Sequence, residues 1–476
     1  MHPFARALRP QPISRRAFLQ LVGLGGGAAA LAACAPSAGS APTAAPGDVT
    51  SAASEPVAIS FWTPGGSDAF CGGFNTIAQN FSAVEPGIQV QEVRCGVTES
   101  DSFNQVLLSD IAAGSPPDST ILWTSPVAFA ARNALEPLDA LMAGSQFSKL
   151  ENWPPGVLAS CQWKGQTFGL PATAGTYAMY YNAEAFEARG IPADRASFPK
   201  TWDELRRLSA EFVEWDGDTL RNAGFMPRTE PVELTVWSAL NGGTFYDSEN
   251  QKFLINSDQN IEFFQFFVDW LDEQYQGDWV KVQASDNWGA YADGNGRPPA
   301  FQEGRLAIHM DGFWLTGDIY GAEFKGWGNW NVAPFPVGPS GSNVVSGYWP
   351  NWLVIPRGSA HVAEAFKYLD YMAVEGIKVW FNNIPDLPAN RLVSTDLVPR
   401  VMVENRGQEI ADDITAFFRG QLDVATPMWD SPVQDFANDR IREAADKIIN
   451  KVASPRDALT EAQDASQTEL DNTLAG

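Results

Sequence analysis

From Val57 to Trp62 apolar residues alternate with small or polar ones, the period-two pattern of a half-buried strand. A Gly/Pro turn at residues 63–67 follows, and the apolar-periodic stretch to Val84 reads as a helix that Glu85-Pro86-Gly87 stops. Ile88 to Val93 then predicts a strand, Ser102 to Ala113 a helix, and Ser119 to Trp123 a short buried strand. Ser125-Pro126 offers an N-cap followed by Pro at the first helical position. Strands alternating with helices predict an α/β fold, a mainly parallel sheet covered by helices.

The middle of the chain is more helical. In Thr201-Trp202-Asp203-Glu204 the Thr hydroxyl and the Glu carboxylate can satisfy orphan amides reciprocally, a capping box. Trp202, Leu205, Leu208 and Phe212 then share one face at helical spacing. Ile261 to Tyr275 and His361 to Met372, the latter behind a Ser359 cap, read as further helices. Ser454-Pro455-Arg456-Asp457 starts the last one.

The first residues belong to export and not to the fold. Residues 1–33 hold Arg6, Arg9, Arg15 and Arg16, no Asp or Glu, and a weakly apolar Gly/Ala-rich stretch, the layout of a signal peptide. Ser14-Arg15-Arg16-Ala17-Phe18-Leu19 resembles the twin-arginine export motif, and Leu31-Ala32-Ala33-Cys34 resembles a lipobox. The latter implies diacylation of Cys34, and two acyl chains suffice for stable membrane anchoring. Residues 34–56 are small, polar and Pro-punctuated, a flexible tether reaching roughly 25 Å. The expected location is therefore extracytoplasmic, with the protein lipid-anchored to the cell membrane.

Composition narrows the function. The 476 residues carry a net charge of −25, which argues against nucleic acid or an anionic membrane surface as partner. Besides Cys34, only Cys71, Cys95 and Cys161 remain; Cys71–Cys95 is favoured as a bridge by proximity alone, and three buried thiols are the alternative. His2, His309 and His361 cannot make a His-rich metal site, and no cofactor is expected. The chain has no P-loop, no G-x-S-x-G elbow and no zinc-protease motif, so an enzyme is not expected. Asp216-Gly217-Asp218 lacks the other ligands of a calcium loop and reads as a turn.

Five strings in order carry a resemblance. They are Ile59-Ser-Phe-Trp62, Gly169-Leu170-Pro171 with Met179-Tyr-Tyr-Asn182, Pro199 to Leu205, Phe301-Gln-Glu-Gly304, and Asp311-Gly-Phe-Trp314. Over residues 57–476 the chain resembles the extracellular solute-binding proteins of family 1, similar to maltose-binding and glycerol-phosphate-binding proteins. The resemblance implies a two-lobed periplasmic-binding-protein-like fold (type II), each lobe a helix-covered sheet, joined by a strand hinge. It places the first lobe at 57–171 and 337–390, the second at 172–336, and a C-terminal helical segment at 391–476 packing on the second lobe. It further implies a monomer that delivers a sugar or polyol to the permease subunits of an ABC importer. A glycerol-phosphate-type ligand, a surface glycan-binding protein without a transporter, and a glycosidase are the alternatives.

Seventeen Trp suit a sugar ligand, whose C–H faces rest on aromatic rings while its hydroxyls bond carboxylates and amides. Trp202, Trp215 and Trp270 lie on helical patterns and read as core. The candidates for ligand contact stand at strand ends or Gly-rich turns: Trp62, Asp68, Trp123, Asp311, Trp314, Gly347 and Trp349. Tyr177, Trp237 (near Asn241-Gly242-Gly243) and Arg391 join them, whereas Asp118 reads as capping a turn.

Overall fold

In the computed structural model, which describes residues 55–96, 100–291, 297–320, 327–342, 346–422, 425–427 and 429–475, the opening alternation becomes β1 (Val57–Thr63). The signal segment 1–33, Cys34 and all but the last two residues of the tether lie outside these residues. After β1 come α1 (Asp68–Val84), β2 (Ile88–Cys95), α2 (Ser100–Ala113) and β3 (Ser119–Leu122), with β2 and β3 parallel to β1 on either side of it. Phe61 turns one way, its ring 5.4 Å from Phe74 on α1 and 5.4 Å from Tyr368. Ser60 turns the other way and donates its backbone N–H to Asp118 Oδ2 at 2.9 Å, so the Asp118 carboxylate ties β1 to the start of β3 across the sheet and does not cap its own turn. Ser67 caps α1 by accepting the Phe70 N–H, and Phe70, Phe74, Ile77 and Phe81 bury one helical face. Cys71 on α1 and Cys95 at the end of β2 are disulfide-bonded, leaving Cys161 as a buried free thiol.

The chain leaves this sheet after β4 (Leu170–Pro171) and enters a second one with β5 (Gly175–Asn182), buried along its whole length. There follow α3 (Trp202–Ala210), started by the capping box, then β6 (Thr219–Phe225), α4 (Pro231–Leu240) and α5 (Asp258–Gln274). Next come β7 (Leu306–Gly312), α6 (Leu315–Asp318), β8 (Trp330–Ala333) and β9 (Ser346–Trp349). β7 runs antiparallel to β5 on one side, β8 and β9 on the other. Trp202, Trp237, Phe225 and Phe267 pack ring against ring as the aromatic core of this lobe.

The chain returns to the first sheet with β10 (Trp352–Val354), giving the order β2-β1-β3-β10-β4. The resemblance ends the second lobe near Pro336 and has the chain return near Ser346; pairing with the first sheet resumes at Trp352. Val337 is still bridged to Thr201, Gly338 donates to the Leu240 carbonyl, and β9 remains paired with β5. The helix expected from His361 to Met372 is α7 (Val362–Tyr371), continued by a π turn at Met372–Gly376 into α8 (Ile377–Asn383). Ser359 Oγ accepts the His361 N–H one residue before the helix and does not cap it directly.

A third segment, residues 384–390, runs beside 172–174 between the sheets. The Ala174 N–H donates to the Leu387 carbonyl at 2.6 Å, and the Ala389 N–H to Ala172 at 3.1 Å. The C-terminal helices α9 (Gln408–Gln421), α10 (Gln434–Ile449) and α11 (Pro455–Ala475) belong with the second sheet: α9 contacts β5, and α10 and α11 contact α5. Among the described residues no helix is long and apolar enough to cross a membrane.

Candidate functional site

The site is built where the crossing segments meet. At Gly175 an added Cβ would lie 2.5 Å from the Trp349 carbonyl oxygen, 2.9 Å from Trp314 Cζ3 and 3.0 Å from Asp386 Oδ1. Only a residue without a side chain fits so close an approach. The Trp314 ring stands edge-on to Tyr177, with centroids 4.9 Å apart at 90°. Such perpendicular packing of one aromatic on another fixes the orientation of the outer face. Tyr177, Asp311 and Trp314, all singled out from the sequence, are thus brought together, and the backbone of Trp349 joins them by pairing with Gly175; Gly347 lies two residues before it on β9, paired with Thr426.

Charged and polar groups surround these rings. On β7, Asp311 Oδ2 lies 3.2 Å from His309 Nε2 while Oδ1 accepts the Gly312 N–H at 2.7 Å. Burial lowers His309 below the usual imidazole range, so it is neutral and can donate to Asp311. Tyr291 bonds Asp311 with its hydroxyl yet keeps 38% of its surface exposed. Burial first, then the nearby Asp311, raise both the Tyr177 and the Tyr291 phenols, so both stay protonated donors. Where β6 ends, Arg228 lies 3.3 Å from Glu233 in the first turn of α4. Burial pushes Glu233 up to about 7 against the pull of Arg228, whose own value Glu233 raises.

Three polar contacts join the lobes beside these groups. Ser67, at the start of α1, bonds Asp318 at the end of α6. Ser125, past the end of β3, bonds Asp430. Asn104 on α2 donates to Thr124 Oγ1 at 2.9 Å and to Asp435 at 3.3 Å. Burial raises Asp318 to about 6 and Asp430 to about 7. Around Arg228 the charged neighbours are the carboxyls Glu233, Asp311 and Glu230.

The other sequence candidates are placed differently. Trp62 is buried, and the Arg94 guanidinium covers its ring at 4.8 Å, so the chain itself occupies one face. Trp123 is half-buried with its ring against Phe70, and Asp68 is exposed in the first turn of α1. Trp237 is 0% exposed within the aromatic core and offers no face to a solute. Arg391 is exposed, its backbone N–H bonded to the Asn152 carbonyl and its guanidinium reaching the Glu151 carbonyl. The sequence reading missed Arg228, Glu233, Tyr291, Asp318 and Asp386. The strand-end rule that found Trp314 could have found Arg228, which stands just past the end of β6. Among the described residues no group of His, Cys, Asp and Glu could hold a metal ion.

Comparison with known proteins gives the family and the fold. Residues 72–378 match the family model described as bacterial extracellular solute-binding protein. The maltotriose-binding protein of Pyrococcus abyssi is 23% identical over 82% of this chain and 76% of its own. Among solved structures, a protein with mannotriose bound aligns with TM-score 0.71 at 20% identity, covering 86% of this chain and 100% of that one. The GacH receptor of Streptomyces glaucescens, solved unliganded and with acarbose, aligns with TM-score 0.69 at 22% identity over 87% of this chain and 99% of its own.

Proposed function

From the premise that the chain belongs to the bacterial extracellular solute-binding proteins, a family of binding proteins and not of enzymes, we propose that it holds a neutral sugar or polyol between its lobes and delivers it to the permease of an ABC importer. One observation carries this reading: the Trp314 ring stands over Gly175 and edge-on to Tyr177, which faces Asp311 and the Arg228–Glu233 pair, while the Trp349 backbone closes on Gly175 and Tyr291 bonds Asp311. Flat rings suit the C–H faces of a sugar, and carboxylates with a guanidinium suit its hydroxyls. The carboxyl-rich lining disfavours a phosphate or uronate, because a bound anion there repels every carboxyl that is ionised and finds Arg228 already paired with Glu233. Relatives named for maltotriose and mannotriose support the class of solute.

Calorimetric titration with maltotriose, mannotriose, glycerol 3-phosphate and a galacturonate oligomer tests this. The expected result is binding of a neutral sugar, recovered unchanged by chromatography. Tight binding of the phosphate, or new products formed in proportion to protein, would overturn it in favour of the glycerol-phosphate or glycosidase alternative.

The anchor is proposed on the sequence alone, from Leu31 to Cys34. Replacing Cys34→Ala is expected to abolish incorporation of radiolabelled palmitate and to release the protein from the detergent-soluble membrane fraction. Continued labelling of the variant would show that Cys34 is not the acylated residue.

A further inference from the structure

Three segments cross between the lobes, and one side chain from each meets the others. Asn351, in the second, donates its backbone N–H to Thr173 Oγ1 at 3.0 Å and its Nδ2 to the same oxygen at 2.9 Å. Asn351 Nδ2 also donates to Asp386 Oδ2 at 2.8 Å. Thr173 belongs to the first crossing and Asp386 to the third, so the three side chains tie all the crossings together. Asp386 is 2% exposed, and its Oδ1 ends beside Gly175 with no hydrogen-bond partner. A full negative charge there would be buried with one oxygen unsatisfied, an expensive arrangement that a proton removes.

We propose that Asp386 is the positioning residue of the hinge: it fixes the lobe orientation in which Trp314 meets a solute, and closure is coupled to a proton held on its carboxyl. This rests on the reading of the junction as a solute site. Trp314 Cζ3 and Asp386 Oδ1 both lie within 3.0 Å of the place a Cβ at Gly175 would take, so a shift of the carboxyl is felt where the indole rests.

The groups facing Asp386 support the coupling. Burial pushes its carboxyl up to about 8, and hydrogen bonds from Thr173, Asn351 and the Leu387 backbone oppose this only in part. From β5 the titratable neighbour is Tyr177, whose phenol is itself raised and stays protonated. From α6, which packs Gly317 against Asn383 and Pro385, the titratable group is Asp318, bonded to Ser67 and raised to about 6. Residues 172–175 and 349–352 carry no titratable side chain. Opening admits water to the tied side chains and lowers the Asp386 value toward that of an ordinary carboxylate. The closed form then holds the proton more tightly, so rising pH favours opening; the effect accumulates up to about 8 and levels off beyond it.

Two measurements on the full chain test this between pH 6 and 9.5, comparing wild type with Asp386→Asn, which is neutral throughout. In solute-free protein, hydrogen exchange at the Ala174 and Ala389 amides is expected to speed up relative to the variant as pH rises toward 8. Titration with maltotriose or mannotriose is expected to show wild-type affinity falling by at most about tenfold per pH unit toward pH 8, the limit for one coupled proton. The variant should lack that component. Identical pH profiles for the two proteins would overturn the proposal. If neither sugar binds at any pH, the sugar reading fails on its own and the exchange ratio still decides the hinge. Should Asp386→Asn not fold, Thr173→Val replaces it: losing a bond that favours the charged form should move the transition to higher pH, and an unmoved transition would count against the proposal.

Discussion

Trp314→Ala is expected to weaken solute binding at least tenfold while leaving the far-UV circular dichroism of the free protein near wild type. The indole is half-buried, held edge-on to Tyr177 and packed over the glycines at 175 and 312. Its remaining face is the platform proposed for the sugar. An aromatic contact contributes roughly 0.5–1.5 kcal/mol beyond its buried area. A central aromatic anchor as a whole is worth about 2 kcal/mol or more, which corresponds to roughly thirtyfold in affinity. The fold is spared because the backbone of α6 and the pairing of β7 with β5 do not depend on the ring. Calorimetric titration with the neutral sugar that binds wild type checks it. Unchanged affinity would remove Trp314 from the site and with it the main physical reason for a sugar.

The opposite outcome is expected of Trp237→Ala. This indole is wholly buried, its ring 5.3 Å from Trp202, 5.6 Å from Phe225 and 5.3 Å from Phe267. Deleting it leaves a cavity among rigid rings that cannot collapse to fill the space. Such truncations cost about 3–5 kcal/mol, a large part of the 5–15 kcal/mol by which a typical domain is stable. Urea denaturation should therefore show a much lower midpoint, while the folded fraction binds solute as wild type does. The Trp237 Nε1 has no hydrogen-bond partner, so removing it leaves no polar atom stranded and the loss is one of packing. A variant of normal stability with weakened binding would return Trp237 to the site and contradict its placement in the core.

The contrast between these two residues shows where sequence reasoning works. Both Trp237 and Trp314 lie near Gly and Asn or Asp residues in the chain, so the turn signal alone does not distinguish them. For Trp237 the helical spacing with Leu234 and Leu240 on α4 was the better guide, since it buries the residue, and the adjacent Asn241-Gly242-Gly243 turn misled. Trp62 ends a strand just as the site rule requires, and only the neighbouring strand reveals that Arg94 takes one of its two faces. Asp386 sits in an irregular segment between helices, where no period marks it, and its importance comes wholly from Thr173 and Asn351.

The sequence by itself determined the elements and the class of fold. Alternation in β1, the cap at Thr201-Glu204, the stop at Glu85-Pro86-Gly87 and the start at Ser454-Pro455 act within a few residues of where they are written. The ordered strings from Ile59 to Trp314 added the two-lobed architecture by resemblance. Only the tertiary structure decided which aromatics face the junction, that Arg228 and Glu233 stand beside Tyr177, that Tyr291 bonds Asp311, and that Asp386 meets Trp314 at Gly175. The reason is physical: backbone hydrogen bonding and side-chain periodicity are short-range along the chain, whereas a site is a meeting of side chains whose sequence separation leaves no mark on either local pattern. Their meeting is fixed by the pairing of β5 with β7 and β9 and by the three crossings, and these exist only once the lobes have formed.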